Sequence, residues 1–177
     1  LAACLENKGR IVATDTAAWR LKRTKERLKR AGAFNVELRE LSGLQDKWVK
    51  RQKERFDHVL VDAPCSGSGT WRRNPDQKWN LTLQDLQELT ALQASLLELA
   101  APVVKRGGSL IYATCSLFCE ENEDVATCFL KTHPEFTLIP CGLEDEPFLS
   151  LSPLQNGTDG FFAAKFVRSE DFRGVRE

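Results

Sequence analysis

The sequence predicts an α/β fold with a doubly wound sheet, and three observations point to it. Strand patterns and helix patterns alternate along the chain, without internal repeats or low-complexity segments. At least one strand pattern is a continuous apolar run, which suits a parallel strand covered on both faces. The 177 residues and the 42% apolar content are those of one ordinary globular domain. We therefore expect one domain over residues 1–168 and a polar tail over residues 169–177.

The first part of the chain contains one helix pattern between two short strand patterns. The strands are predicted at residues 10–15 (RIVATD) and 36–41, and the helix at residues 17–31. The helix pattern ends at Gly32, a residue type that readily adopts the positive φ of a helix C-terminus. Residues 1–6 resemble the end of another helix. The strand and glycine-rich turn that normally open such a fold have no counterpart, and methionine is absent, so we interpret the sequence as the larger, C-terminal part of a domain.

The second part of the chain continues the alternation. Strands are predicted at residues 57–62, 109–113, 136–139 and 161–167, helices at residues 82–101 and 120–131, and loops at residues 63–80 and 140–160. The helix over residues 82–101 has the clearest pattern, because Thr82 and Asp85 resemble a capping pair. Its predicted buried stripe consists of Leu86, Leu89, Leu92, Leu96 and Leu99. Gly107 and Gly108 are predicted to form the turn before the strand at residues 109–113.

Charge is distributed unevenly along the chain. The 25 basic and 25 acidic residues balance, but residues 1–78 hold 18 basic against 10 acidic residues. This excess predicts a surface that attracts polyanions, although a solvated helix face explains the basic cluster in residues 20–30 equally well. No apolar run approaches the ~18 residues of a membrane span, and no leader pattern is present. We expect a cytoplasmic monomer without a membrane segment.

Four candidate site residues lie at or just beyond predicted strand ends, where parallel sheets bind their ligands. Asp15 and Asp62 end two strands, Cys65 follows Asp62 by three residues, and Cys115 follows a neighbouring strand. A carboxylate suits the paired hydroxyls of a ribose, and a thiolate can add to an electron-poor ring carbon. Asp15 could equally cap the following helix, and either cysteine could equally be a small buried apolar residue.

A zinc site is not expected from the six cysteines. The sequence contains no Cys-x-x-Cys pair and only two histidines. Because nothing else suggests secretion, the even number of cysteines does not indicate a disulfide framework either. We predict no metal site.

Three segments resemble motifs of the RNA cytosine-C5 methyltransferases, specifically the bacterial Sun/Fmu branch that modifies 16S ribosomal RNA. Residues 62–79 (DAPCSGSGTWRRNPDQKW) resemble the fourth motif of that family, and residues 112–124 (YATCSLFCEENED) resemble the sixth. Residues 159–166 (DGFFAAKF) resemble the closing strand of the branch. The similarity extends from residue 1 to about residue 168, and the paired Pro-Cys and Thr-Cys motifs at this separation are highly specific.

The resemblance implies a Rossmann-like fold dependent on S-adenosylmethionine, and methyl transfer to carbon 5 of a cytosine in RNA. In this family the cysteine at the position of Cys115 is the nucleophile that forms a covalent adduct with the base. The cysteine at the position of Cys65 assists release of the product. The acid at the position of Asp62 lies between cofactor and base, and the acid at the position of Asp15 holds the ribose of the cofactor.

Candidate RNA-binding residues follow Cys65 on the same predicted loop. Arg72, Arg73 and Lys78 would contact phosphates around the target nucleotide.

The sequence departs from the family pattern at two places. The family's first motif, a strand with a glycine-rich loop, has no counterpart. Ser42 occupies the position where the third motif usually offers an acid to the adenine.

Two other functions remain open. A non-catalytic RNA-binding module would keep the basic first half and would bind RNA in a salt-dependent way. A methyltransferase acting on another position of a base, or on an exocyclic amine, would need neither cysteine.

Overall fold

The computed structural model describes residues 1–171, which divide into two compact units. The first unit is Leu1–Lys47, and the second begins at Trp48. Residues 172–177, most of the predicted polar tail, lie outside the described residues.

The first unit is a strand-helix-strand element. Strand β1 (Ile11–Asp15) pairs in parallel with β2 (Val36–Glu40), and helix α1 (Ala18–Arg30) connects them. The helix ends as predicted, with Gly32 at a φ of +62° directly after it. All three elements lie within one residue of their predicted bounds.

Residues 1–7 form hydrogen-bonded turns and not a helix. The N–H of Asn7 donates to the carbonyl of Ala2, and the N–H of Glu6 donates to the carbonyl of Ala3, both at 3.0 Å. With Glu6 at a φ of +51°, this is the bonding pattern that closes helix C-termini. The predicted helix end is therefore partly right: the hydrogen bonds are those of a helix C-terminus, but residues 1–7 are turns and not part of a helix.

The second unit is built on a five-stranded sheet. Its strands are β3 (Phe56–Asp62), β4 (Val104–Thr114), β5 (Phe136–Ile139), β6 (Leu149–Leu151) and β7 (Phe161–Arg168). The order in the sheet is β3-β4-β7-β5, and β6 also pairs with β7. Strands β3 and β4 are parallel, whereas β7 is antiparallel to each of its partners.

Five further helices follow in chain order. They are α2 (Lys47–Lys50), α3 (Asp76–Asn80), α4 (Leu83–Ala100), α5 (Glu123–Thr132) and α6 (Pro153–Asn156). Helix α4 packs against β3, β4 and α5. The largest apolar side chains of this unit that are fully buried are those of Tyr112, Phe162, Phe166, Leu97 and Leu110. Burial of side chains of this size contributes about 1.5–3 kcal/mol each and holds the sheet and helices together.

Helix α4 buries a different stripe from the one predicted. Gln93, Leu97 and Ala100 are its buried residues, whereas the predicted leucines are only half-buried and Leu92 is 36% exposed. The predicted stripe contained leucines alone and did not include Gln93, Leu97 or Ala100. The amide of Gln93 has polar partners in the interior, which an apolar pattern cannot reveal.

The two glycines before the predicted fourth strand do not form a separate turn. Strand β4 begins at Val104 and passes through both, with a shift in register opposite β3 between Phe56 and His58. Gly107 has a φ of +73°, and a Cβ on Gly108 would lie 2.8 Å from the carbonyl oxygen of Asp57. The glycines therefore form an irregularity inside a longer strand.

The two predicted loops also contain regular structure. Residues 63–80 include a 3-10 turn (Ser68–Thr70) and α3, while residues 140–160 include a second 3-10 turn, β6 and α6. These pieces are three to five residues long, too short to show a periodic pattern in a sequence.

Candidate active site

The pairing of β3 with β4 brings two cysteine-containing loops to one edge of the sheet. Asp62 at the end of β3 is opposite Ala113, and the N–H of Ala63 donates to the Ala113 carbonyl at 2.9 Å. Because the strands are parallel, the segments after Asp62 and after Thr114 leave the sheet side by side.

The thiols of Cys65 and Cys115 lie in contact. Their Sγ atoms are 3.3 Å apart, and both side chains are half-buried. This separation exceeds the ~2.05 Å of a disulfide, so both are free thiols joined by a hydrogen bond. Two cysteines 50 residues apart in sequence thus form one site.

The contact shifts the pKa values of the two thiols in opposite directions. A hydrogen bond from Cys65 lowers the pKa of Cys115 from its ordinary value of 9.0 to about 7, although burial and the charges of Asp62 and Glu121 act in the opposite direction. The same hydrogen bond and burial raise the pKa of Cys65 far above its ordinary range. Near neutral pH, Cys115 is substantially thiolate while Cys65 remains a protonated donor.

Asp62 completes the group at the strand ends. It is the last residue of β3, it is exposed, and its charge acts on Cys115. Its charge therefore acts on the reactive thiol, and its exposure leaves the carboxyl group accessible to a bound molecule.

A buried carboxylate lies beneath the two loops. Glu121 is fully buried and accepts four hydrogen bonds. One oxygen accepts from the Ser66 N–H at 2.8 Å and from Gln93 Nε2 at 2.9 Å. The other accepts from the hydroxyls of Ser66 and Ser116, each at 2.5 Å.

A second set of hydrogen bonds fixes the loop that carries Cys115. The Thr114 hydroxyl donates to Asn122 Oδ1 at 2.6 Å, and Asn122 Nδ2 donates to the Ser116 carbonyl at 3.0 Å. The Tyr112 hydroxyl donates to the main-chain carbonyl of Glu121 at 2.5 Å. Burial raises the pKa of Tyr112, which keeps this hydroxyl a donor.

Sequence reasoning missed Glu121, Gln93 and the two serines. A signal for them existed, because each candidate cysteine is directly followed by a serine, as Cys65-Ser66 and Cys115-Ser116. Gln93 is also a polar residue one helical turn before the buried Leu97. Neither signal identifies Glu121 as the common partner.

A close crossing of backbones links the site to β7. The Gly69 N–H donates to the Cys115 carbonyl at 3.0 Å, and the Gly160 N–H donates to the Gly69 carbonyl at 2.9 Å. A Cβ on Gly69 would lie 2.4 Å from the Gly160 carbonyl oxygen, so glycine is required at this crossing. The segment before β7 therefore supports the loop of Cys65.

The predicted RNA-binding residues are on the surface after the Cys65 loop. Arg73 forms an ion pair with Asp159 at 2.6 Å, and Arg72 lies 3.6 Å from the same carboxylate. The ammonium group of Lys78 lies 5.5 Å from the ring centre of Trp79, which is 81% exposed. Both arginines are more than 60% exposed and remain accessible to phosphates.

Asp15, in the first unit, lies before α1 without capping it, because Ala17 is the N-cap residue and no side chain caps this helix. One carboxylate oxygen accepts the Ala17 N–H at 2.8 Å, and the other lies 3.6 Å from the Arg20 guanidinium. The side chain is 24% exposed at the end of β1. Nearby in sequence, the N–H and hydroxyl of Ser42 both donate to Asp46, which places a carboxylate beside the position where the family pattern has an acid.

Residues 1–171 contain neither a cluster of metal ligands nor a membrane span. No group of three or more histidine, cysteine or acidic side chains there is arranged to hold a metal ion. No helix in that part of the chain is long and apolar enough to cross a membrane.

Comparison with protein families matches the chain over residues 1–167 to the model described as 16S rRNA methyltransferase RsmB/F. The chain belongs to this family. A curated relative, ribosomal RNA small subunit methyltransferase B of Pectobacterium atrosepticum, is 38% identical over 163 residues. That match covers 92% of this chain and 37% of the relative, so the chain spans little more than a third of the length of such relatives.

Solved structures show the same fold. A methyltransferase homologue from Pyrococcus horikoshii is 35% identical with a TM-score of 0.79, covering 96% of this chain and 56% of the other. NSun6 from Pyrococcus horikoshii, solved with SFG, is 28% identical with a TM-score of 0.77, covering 97% and 44%. The predicted Rossmann-like methyltransferase fold is confirmed. The chain belongs to a methyltransferase family, and SFG, the ligand of the NSun6 structure, is an analogue of S-adenosylmethionine. Both findings support S-adenosylmethionine as the predicted cofactor.

Proposed function

We propose that this chain carries the catalytic residues for methyl transfer from S-adenosylmethionine to carbon 5 of a cytosine in RNA, with 16S ribosomal RNA as the substrate. Cys115 is the nucleophile in this proposal. The observation that carries it is the contact between the two thiols, which makes one of them a thiolate near neutral pH and keeps the other protonated.

The chemistry explains why a thiolate is needed. Carbon 5 of cytosine is too weak a nucleophile to take a methyl group from a sulfonium. When the Cys115 sulfur forms a bond to carbon 6, the electron pair of the 5,6 double bond becomes available at carbon 5. Charge then develops on the ring, and in this proposal the protonated carboxyl group of Asp62 donates a hydrogen bond or proton to N3.

Release of the product reverses the first step. Once carbon 5 has bonded to the methyl group and the sulfonium has left as a neutral thioether, solvent water takes the carbon 5 proton. The electron pair of that C–H bond forms the 5,6 double bond again, and the bond between Cys115 and carbon 6 breaks with its electrons returning to the sulfur. The departing thiolate needs stabilisation, and the Cys65 thiol already donates to that sulfur at 3.3 Å in the free protein. We therefore assign Cys65 to product release.

Other residues bind the cofactor and the RNA in this proposal. S-adenosylmethionine supplies the methyl group when it is bound. Asp15 is the acceptor for its ribose hydroxyls, and Asp62 lies on the side of the base. A base that reacts in such a pocket must leave its stack, and Arg72, Arg73 and Lys78 would hold the phosphates on either side.

The test is capture of the covalent intermediate. Cys65→Ala protein is incubated with S-adenosylmethionine and a 16S ribosomal RNA fragment, then run on a denaturing gel. A slowly migrating protein-RNA band should accumulate, because adduct formation remains possible while release is slow. Cys115→Ala and the double variant should give no band.

Cys119→Ala is the matched control, since this exposed cysteine lies in the same motif but outside the thiol pair. Methyl transfer that survives in Cys115→Ala would contradict the role of this residue. RNA binding without adduct or methyl transfer in any variant would identify an RNA-binding module instead.

A further inference from the structure

Glu121 is placed where one side chain can control both cysteine loops. Ser66, which follows Cys65, gives it two hydrogen bonds, and Ser116, which follows Cys115, gives it one. The fourth comes from Gln93, whose Nε2 also donates to the carbonyl of Pro64 at 2.9 Å. Each thiol is therefore one residue away from a direct bond to the same carboxylate.

We propose that Glu121 is a positioning residue that sets the separation between the thiols of Cys65 and Cys115. The inference rests on the proposed function, in which this thiol pair performs adduct formation and release. Glu121 does not touch the substrate in this proposal, because its carboxylate is fully buried beneath the loops.

The hydrogen-bonding pattern explains why a carboxylate is required. An ionised carboxylate is an acceptor only, with about four lone-pair sites, and Glu121 faces four donors. A glutamine would turn an NH₂ group toward two of those donors and would lose their hydrogen bonds. Burying a charge is costly, so a carboxylate at this position is favourable only with such complete pairing.

Positioning and charge have opposite effects on Cys115, which makes the proposal testable. The negative charge of Glu121 acts to raise the pKa of Cys115. The hydrogen bond from Cys65, which depends on the placement of the loops, lowers it and is the larger effect. Removal of Glu121 should raise this pKa if positioning dominates and lower it if the charge alone matters.

The experiment compares Glu121→Gln with Glu120→Gln. Glu120 is the neighbouring exposed residue, so its variant makes the same chemical change without touching the network. Both are made in the full chain with serine at Cys4, Cys119, Cys128 and Cys141, so that only the pair reacts. The first readout is the pH dependence of Cys115 alkylation by iodoacetamide, followed by mass spectrometry.

The second readout is the equilibrium constant for oxidation of the pair by glutathione disulfide. Two thiols give up two protons and two electrons, one disulfide forms, and two molecules of glutathione are released. This constant measures how closely the folded protein holds the two sulfurs. In Glu121→Gln it should fall at least tenfold, and the alkylation midpoint should move upward toward that of an ordinary thiol. Both should stay unchanged in Glu120→Gln.

Ser116→Ala keeps the test decisive if Glu121→Gln does not fold. It removes one bond between the carboxylate and the Cys115 loop while leaving the charge in place, so it should shift both readouts in the same direction by a smaller amount. A folded Glu121→Gln with a lowered alkylation midpoint, or unchanged readouts in whichever variants fold, would overturn the proposal. Neither readout needs cofactor or RNA, so failure of the adduct assay would leave this inference standing and would count only against the proposed function.

Discussion

At the scale of single residues, the reactivity of the site depends on which of two thiols holds the proton. Alkylation of Cys115 should increase as the pH rises through about 7, because the thiolate is the reactive form and its pKa is lowered to that value by Cys65. In Cys65→Ala the donor is lost, so the midpoint should move to higher pH. Mass spectrometry of iodoacetamide-treated protein at a series of pH values measures both midpoints. Equal midpoints would show that Cys65 does not stabilise the thiolate.

The sequence revealed the reacting residues better than the residues that support them. Cys65, Cys115 and Asp62 could be grouped because strand ends in a parallel pair share one edge, a rule that needs only the strand pattern. Glu121 could not be found in this way. Its partners Ser66 and Gln93 lie 55 and 28 residues away in the sequence. These contacts depend on tertiary packing, which leaves no local pattern in the sequence.

At the scale of elements, the start of helix α4 is held by reciprocal capping. The Thr82 hydroxyl accepts the Asp85 N–H at 3.2 Å, and the Asp85 side chain accepts the Thr82 N–H at 2.8 Å. Thr82→Ala should lower the free energy of unfolding by about 1 kcal/mol, measured by urea denaturation. Thr90→Ala, inside the same helix, is the control and should be nearly neutral, since alanine favours helix interiors. A neutral Thr82→Ala would mean that packing alone fixes this helix end.

The backbone crossing before β7 gives a second prediction at this scale. A Cβ on Gly160 would lie 2.6 Å from the Gly69 Cα and from the Leu117 side chain. Gly160→Ala should therefore destabilise the protein by about 1–3 kcal/mol and also change the rate of Cys115 alkylation, since Gly69 binds the Cys115 carbonyl.

Gly157→Ala is the control for that change. Gly157 has a φ of +67° but open space around it, so its substitution adds backbone strain of about 1–2 kcal/mol without a clash. The alkylation rate should remain that of the unmodified protein. If both glycine variants alter Cys115 equally, the crossing has no specific influence on the site.

The presence of each main helix and strand was easier to predict than its buried residues or its exact bounds. The capping pair of α4 is confirmed because it is local in sequence. The predicted buried stripe of the same helix was wrong, since it left out Gln93, which is buried through polar contacts. The predicted fourth strand was too short, because a pair of glycines usually marks a turn and β4 passes through Gly107 and Gly108. In both cases tertiary contacts determined the outcome.

At the scale of the whole molecule, the basic surface should make RNA binding sensitive to salt. Replacing Arg72 and Arg73 by alanine should weaken binding of single-stranded RNA irrespective of its sequence. The slope of log affinity against log salt should decrease by roughly 0.7 for each phosphate that the variant no longer neutralises. Fluorescence anisotropy at several salt concentrations measures this slope. Lys131→Ala, an exposed change in the acidic second half, should leave it unchanged, and an equal effect there would point to net charge alone.

The chain order of the sheet has a consequence for biosynthesis. Strand β7, the last strand of residues 1–171, lies between β4 and β5, and β5 has no other strand partner in that part of the chain. A nascent polypeptide therefore carries both cysteines out of the ribosome well before the middle of its sheet exists. The Gly160 bond that supports the Cys65 loop also forms only then. The reactive pair is completed only after β7 has been synthesised and has entered the centre of an otherwise unfinished sheet.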